Sequence, residues 1–208
     1  MRIFVAINLS LKIFDKIMEN LRTIQEEHKD YKWVYKDNIH ITLAFFNELD
    51  NLGIKLLEKV IEKSLEFYET ITFSTGKIIY IPIGVYRDKY YGYVRQKKIN
   101  GLALSIEKGK EEIIKLAENI ENNLIEIGEK NNYKFRTKEK RPYIPHITIA
   151  RKGRKPIMNY LQTFNKYPFI VEGKVDNITI FQSEIFKGNP NRQHKETSEY
   201  KPLKIFEL

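Results

Sequence analysis

His40-Ile41-Thr42-Leu43-Ala44 returns almost unchanged as His146-Ile147-Thr148-Ile149-Ala150. Both pentads are dense in β-branched and apolar residues and read as strands. In a strand, alternate side chains share a face. His40 and Thr42 are therefore expected on one side, with Ile39, Ile41 and Leu43 on the other. His146 and Thr148 oppose Ile147 and Ile149 in the same way. Each strand gains an apolar side suited to a core and a polar side carrying an imidazole and a hydroxyl.

Working outward, residues 2–8 read as a strand, and Ser10 is the expected N-cap of a helix over 11–28 whose Ile13, Phe14, Ile17, Leu21 and Ile24 keep helical spacing. Residues 31–36 and 39–46 read as strands, separated by Asp37-Asn38. Asp50 or Asn51 starts a second helix reaching Tyr68, and a third covers 109–128. Residues 71–82, 84–95, 143–151, 169–175, 177–183 and 201–207 read as further strands. Neither a G-x-G-x-x-G turn nor a phosphate loop is present, so a nucleotide-binding parallel fold is not expected. The reading is α+β with antiparallel sheets. Because helix followed by H-I-T strand occurs twice, two similar lobes are expected, each giving one motif to a single domain over 1–208. No Gly-, Pro- or Ser-rich linker divides it.

Histidine has an ordinary pKa of roughly 6.5 and serves as acid or base near neutrality. Two histidines across a cleft supply both roles that phosphodiester cleavage needs, one taking a proton from the attacking oxygen and one giving a proton to the leaving oxygen. Thr42 and Thr148 are the expected donors to the non-bridging phosphate oxygens. A lone H-x-T is ordinarily just the polar side of a strand. Here two of only four histidines sit in matched pentads, which favours a paired site. A metal site is disfavoured because neither motif brings a neighbouring carboxylate or third histidine, and no cofactor is expected.

The 208 residues are 42% hydrophobic, enough for a sizeable core. Cysteine is absent, which excludes disulfides, thiolate nucleophiles and cysteine-bound zinc. The start, Met1 to Asn8, lacks the charged and cleavable parts of a signal peptide, and no run has membrane-spanning length. A soluble, cytoplasmic monomer without membrane contact is expected. With 36 Lys and Arg against 27 acidic residues, the net charge of +9 favours polyanionic partners.

Several stretches together resemble the two-histidine phosphoesterases, and more narrowly the RNA 2′,3′-cyclic phosphodiesterases long named 2′-5′ RNA ligases. They are Met1-Arg-Ile-Phe-Val-Ala-Ile-Asn8, Trp33-Val34, Asn38-Ile-His-Ile-Thr-Leu43 and Tyr143-Ile-Pro-His-Ile-Thr-Ile-Ala-Arg151, with Ser183, Gly188, Tyr200 and Leu203 near the end. Between about 72 and 110 the likeness fades: Phe73-Ser-Thr-Gly-Lys77 and Tyr-rich strands stand where the family carries Gly-Phe-Pro and a Trp-bearing strand. The resemblance implies a bilobal fold of two antiparallel sheets with flanking helices, related by a pseudo-two-fold axis, with the site in the cleft between them. It implies hydrolysis of a 2′,3′-cyclic phosphate to a 2′-phosphate, with His40 as acid and His146 as base. RNA, a cyclic mononucleotide or a cyclic ADP-ribose phosphate would each present such a phosphate. Two alternatives stay open: a 2′-5′ ligase running the same chemistry in reverse, and a module that binds nucleotides or RNA ends without turnover.

Around the second motif, Arg136, Lys138, Lys140, Arg141, Arg151, Lys152, Arg154 and Lys155 read as a basic rim. Arg151 has odd spacing from Thr148, so on a regular strand it faces away; a break after Ala150 would turn it to the phosphate. Tyr143, and after it Phe45 or Phe46, are the candidates to stack on a base. His28 and His194 read as surface residues without a role.

Overall fold

A computed structural model describes residues 1–27, 29, 31–35, 38–81, 101–135, 142–151, 169–187 and 196–208. Its strands are β1 (Ile3–Asn8), β2 (Lys32–Trp33), β3 (His40–Phe46), β4 (Ile71–Ile81), β5 (Gly101–Ile106), β6 (His146–Arg151), β7 (Glu172–Val175), β8 (Asn177–Lys187) and β9 (Glu196–Glu207). Its helices are α1 (Leu11–Glu27), α2 (Asn51–Leu65) and α3 (Lys110–Lys130). Both motifs lie on strands. The strand expected over 31–36 shrinks to β2, β9 starts before residue 201, and the strand expected over 84–95 falls outside the described residues. β5 went unread in the sequence. Gly101-Leu-Ala-Leu-Ser-Ile106 is buried at all but Ser105, so it shows no polar–apolar alternation.

Where two sheets were expected, the described strands form one antiparallel order, β7-β4-β5-β6-β3-β1-β8-β9, with β2 also on β6. The motif strands β3 and β6 are neighbours at its centre. They pair at one register point, Ile41 opposite Ile147, and β2 takes over the same edge of β6 further on, opposite Ala150 and Arg151.

The helices form where capping and periodicity say they should. Ser10 caps α1 with its hydroxyl oxygen, which accepts the Ile13 N–H at 3.4 Å. Asp50 caps α2 through Oδ1, which accepts the Gly53 N–H at 2.7 Å and the Tyr133 hydroxyl at 3.0 Å. α3 begins after Gly109, at φ 71°, and carries Glu111 and Glu112 in its first turn. The buried stripes Ile13, Ile17, Leu21 of α1, Leu57, Val60, Ile61 of α2 and Ile113, Leu116, Ile120 of α3 join Ile3, Val5, Ile7, Ile41, Ile147 and Ile149 in one core cluster. Phe4, Ala6 and Phe181, on the opposite side of the sheet, form a separate small cluster under Tyr200. The helices thus cover one face and leave the other to the polar side chains of the motifs.

Gly109 is needed for two reasons: its positive φ, and the Thr72 carbonyl that a Cβ there would strike. Gly109→Ala should destabilise the protein by about 1–3 kcal/mol in chemical denaturation; an unchanged midpoint would contradict this close approach.

Candidate active site

The register of the central strands gathers the four motif side chains. With Ile41 opposite Ile147, antiparallel counting sets His40 across from Thr148 and Thr42 across from His146. All four project from the face opposite the buried isoleucines.

The outer neighbours repeat the arrangement on both sides. β1 sets Asn8 beside His40 and Ala6 beside Thr42, then the register shifts by one, so that Val5 meets Ala44. β5 sets Ser105 beside His146 and Ala103 beside Thr148, then shifts by one, so that Leu102 meets Ala150. Each motif therefore runs into a bulge directly after its threonine. The bulge buries two successive residues, Leu43-Ala44 in one strand and Ile149-Ala150 in the other, and returns the next residue to the imidazole face. That next residue is Phe45 in β3 and Arg151 in β6. The break that turns Arg151 toward the site thus lies before Ala150 rather than after it.

The imidazoles are oriented by the main chain. His40 Nδ1 lies 2.8 Å from the Asn38 carbonyl oxygen, and His146 Nδ1 lies 2.8 Å from that of Ile144. A carbonyl only accepts, so in each neutral ring Nδ1 holds the proton and Nε2 keeps its lone pair. Nε2 of His40 accepts the Thr42 hydroxyl at 3.0 Å. Both rings are half-buried. Burial lowers the His40 pKa from 6.5 to about 4; the Asn38 bond opposes this, and the charges of Arg151 and His146 add to it. His146 is also held below its ordinary value, by burial first and then by Arg151, against the Ile144 bond. Both imidazoles are therefore neutral near neutral pH. Arg151 lies close enough for its charge to act on both.

Tyr143 is half-buried. It packs against the main core and donates its hydroxyl to the Thr42 carbonyl at 2.9 Å, while burial pushes its phenol pKa up and keeps it a donor. It is a strut between the approach to β6 and the middle of β3. Phe46 is core, whereas Phe45 is 39% exposed. An aromatic wall that sequence reasoning missed stands beside His40: Phe4 at 5.0 Å and Tyr200 at 5.3 Å between ring centroids, with Phe181 stacked on Phe4 at 5.1 Å. Phe4 shares parity with Ala6 and Asn8, which was the available signal; Tyr200 needed the β8–β9 pairing to arrive there. Arg136, Lys138, Lys140, Arg141, Lys152, Arg154, Lys155, His28 and His194 lie outside the described residues. Among the described residues no three His, Asp or Glu gather as a metal site, and no helix is long and apolar enough to cross a membrane.

Because Arg151 depresses both imidazoles, Arg151→Gln should raise the pKa of His40 and His146 together, read as an upward shift of both ring titrations by NMR. An unmoved pair would place the guanidinium away from the site.

The family model of the 2′-5′ RNA ligase superfamily matches residues 13–184. Two proteins named RNA 2′,3′-cyclic phosphodiesterase are similar along most of their length. The one from Methanothermobacter thermautotrophicus is 23% identical over 91% of this chain and 93% of its own. The one from Methanocaldococcus jannaschii is 24% identical over 91% and 95%. Among solved structures, a Thermus thermophilus protein superposes with a TM-score of 0.71 at 19% identity, covering 100% of this chain and 98% of that one. E. coli LigT complexed with 3′-AMP superposes with a TM-score of 0.67 at 20% identity, covering 100% and 97%. The twin motif strands at the centre of the sheet and this match across most of the chain agree: the chain belongs to the 2′-5′ RNA ligase superfamily.

Proposed function

We propose that this protein hydrolyses the 2′,3′-cyclic phosphate at an RNA end to a 2′-phosphate, by acid–base catalysis between His40 and His146 and without a metal. The observation that carries the reading is the pair of imidazoles with Nδ1 tied to a main-chain carbonyl, which leaves two Nε2 atoms for proton transfer on one sheet face. The names of the superfamily relatives support the substrate class.

In this mechanism His146 Nε2 takes a proton from water as the water oxygen bonds to phosphorus. The bond from phosphorus to O3′ breaks, and protonated His40 gives its Nε2 proton to the departing O3′. The product carries a 2′-phosphate and a free 3′-hydroxyl, and proton exchange with solvent resets the pair. Thr42 and Thr148 donate to the non-bridging oxygens, joined by Arg151. Before turnover, Thr42 must turn its hydroxyl from His40 to the phosphate. The anionic substrate raises the depressed His40 pKa, which charges the acid only when there is a phosphate to cleave. The matched registers of β1/β3 and β5/β6 support a pseudo-two-fold relation between the half-sites, with substrate lying across the axis.

His40→Ala and His146→Ala should each lower kcat on a 2′,3′-cyclic-phosphate oligonucleotide by about 10²–10⁴-fold with the fold retained. Wild-type turnover should persist in chelator. Both imidazoles titrate below 6.5, so the form holding one proton between them is favoured on the acid side of that value. kcat/KM should follow a bell with its maximum there. Full activity in either variant, or a rate that climbs steadily into alkali, contradicts the pair.

Tyr143→Phe removes only the bond to the Thr42 carbonyl. A loss of roughly fivefold in kcat with KM held is expected, equivalent to one hydrogen bond of about 1 kcal/mol. An unchanged kcat would remove the strut from the mechanism.

A further inference from the structure

Beyond the four motif residues and Arg151, the imidazole face carries a second cation on a second aromatic. The Arg2 guanidinium lies over the Phe45 ring, 5.4 Å from its centroid. Phe45 reaches this face only because of the bulge after Thr42, and its strand partner is Phe4, whose ring contacts His40. The Arg2 main chain is fixed, since its carbonyl accepts the Ser183 N–H at 2.9 Å. Its side chain is exposed, and among the described residues no carboxylate pairs with it. An exposed phenylalanine and an arginine with no carboxylate partner among the described residues are thus held together without burying either, next to the proposed phosphate site.

These parts match the chemistry of single-stranded RNA. A guanidinium stacks on an aromatic and still has donors directed outward for a phosphate. An exposed aromatic offers a sequence-tolerant platform for a base. Thr42 and Phe45 pair with Ala6 and Phe4, two residues apart on β1, so at ~3.3 Å per residue the platform lies about 7 Å along the sheet from Thr42. A chain that continues beyond the terminal nucleotide has the length to run onto it.

We propose that Arg2 and Phe45 form a subsite for the nucleotide next to the cyclic-phosphate terminus, with Arg2 on its phosphate and Phe45 against its base, so that the site is selective for oligonucleotide ends over cyclic mononucleotides. This rests on the cyclic phosphodiesterase reading above and assigns its substrate class.

The test compares Arg2→Gln and Phe45→Ala with wild type on two substrates: a short oligonucleotide ending in a 2′,3′-cyclic phosphate, and adenosine 2′,3′-cyclic phosphate. Each variant should raise KM for the oligonucleotide about tenfold and leave the mononucleotide constants unchanged. Equal losses on both substrates, or none on either, overturn the subsite while leaving the hydrolase reading intact. Binding of a 3′-phosphorylated oligonucleotide by fluorescence anisotropy reads the subsite without turnover. Arg2→Gln should weaken it and flatten its log-salt slope by about one unit. An unchanged slope counts against the subsite even if the protein proves to be no hydrolase, and thermal melting checks that both variants stay folded.

Discussion

The pairing of Ile41 with Ile147 is the constraint on which the rest of the site depends. Side chains alternate along a strand, so a slip of one residue at this contact would bury the imidazoles of one motif and expose its isoleucines. Burial prevents it. Both isoleucines are wholly inaccessible to solvent, within the cluster that the three helices cover. Burying such a side chain is worth about 1.5–3 kcal/mol, and each turned outward would forfeit that. The hydrophobic effect on the helix side thereby sets the register of the imidazole face on the other side. The contact is also short. β3 leaves β6 after one pair, β2 enters at Ala150 and Arg151, and the Tyr143 hydroxyl ties the approach to β6 back to the Thr42 carbonyl. Two strands that meet at a point and are braced at a second can hold two imidazoles apart at a fixed separation.

Much of this was legible in the sequence, for a local reason. H-I-T twice, each flanked by β-branched residues, states strand, face and chemistry in a few residues, and the helix starts at Ser10 and at Asp50 or Asn51 are marked by capping residues. What was hidden depended on pairing partners. β5 lacks the alternation of a half-buried strand because its neighbours bury both sides of it. The joining of two expected sheets into one rests on the β3–β6 contact, which links residues far apart in the chain. The bulges that return Arg151 and Phe45 to the imidazole face are invisible in either strand alone, since a bulge is a mismatch between two strands. The sequence shows the Tyr143 ring, whereas the partner of its hydroxyl, the Thr42 carbonyl, is reached only through the fold.

The two halves share a frame but differ in surroundings. Next to His40 the neighbouring strands supply Phe4, Phe181 and Tyr200; next to His146 they supply Ser105, whose hydroxyl accepts the Lys77 N–H at 2.9 Å and donates to Glu107 at 2.8 Å. One imidazole sits against apolar rings and the other against a hydrogen-bonded polar chain. Such an inequality suits the division of acid and base work proposed for the pair. The same asymmetry appears one step along, where the bulges deliver a cation on one side and an aromatic on the other.

The main-chain tether of each imidazole has an evolutionary consequence. In many histidine sites a carboxylate side chain fixes the ring, and a single codon change there can detune the chemistry. Here the orienting groups are the carbonyls of Asn38 and Ile144, which every residue type possesses. Sequence drift at those two positions leaves the acceptor in place, provided the backbone keeps its path. The ring geometry is inherited with the fold rather than with a residue. A lineage can therefore alter the walls around its two histidines extensively without losing the tautomer on which they depend.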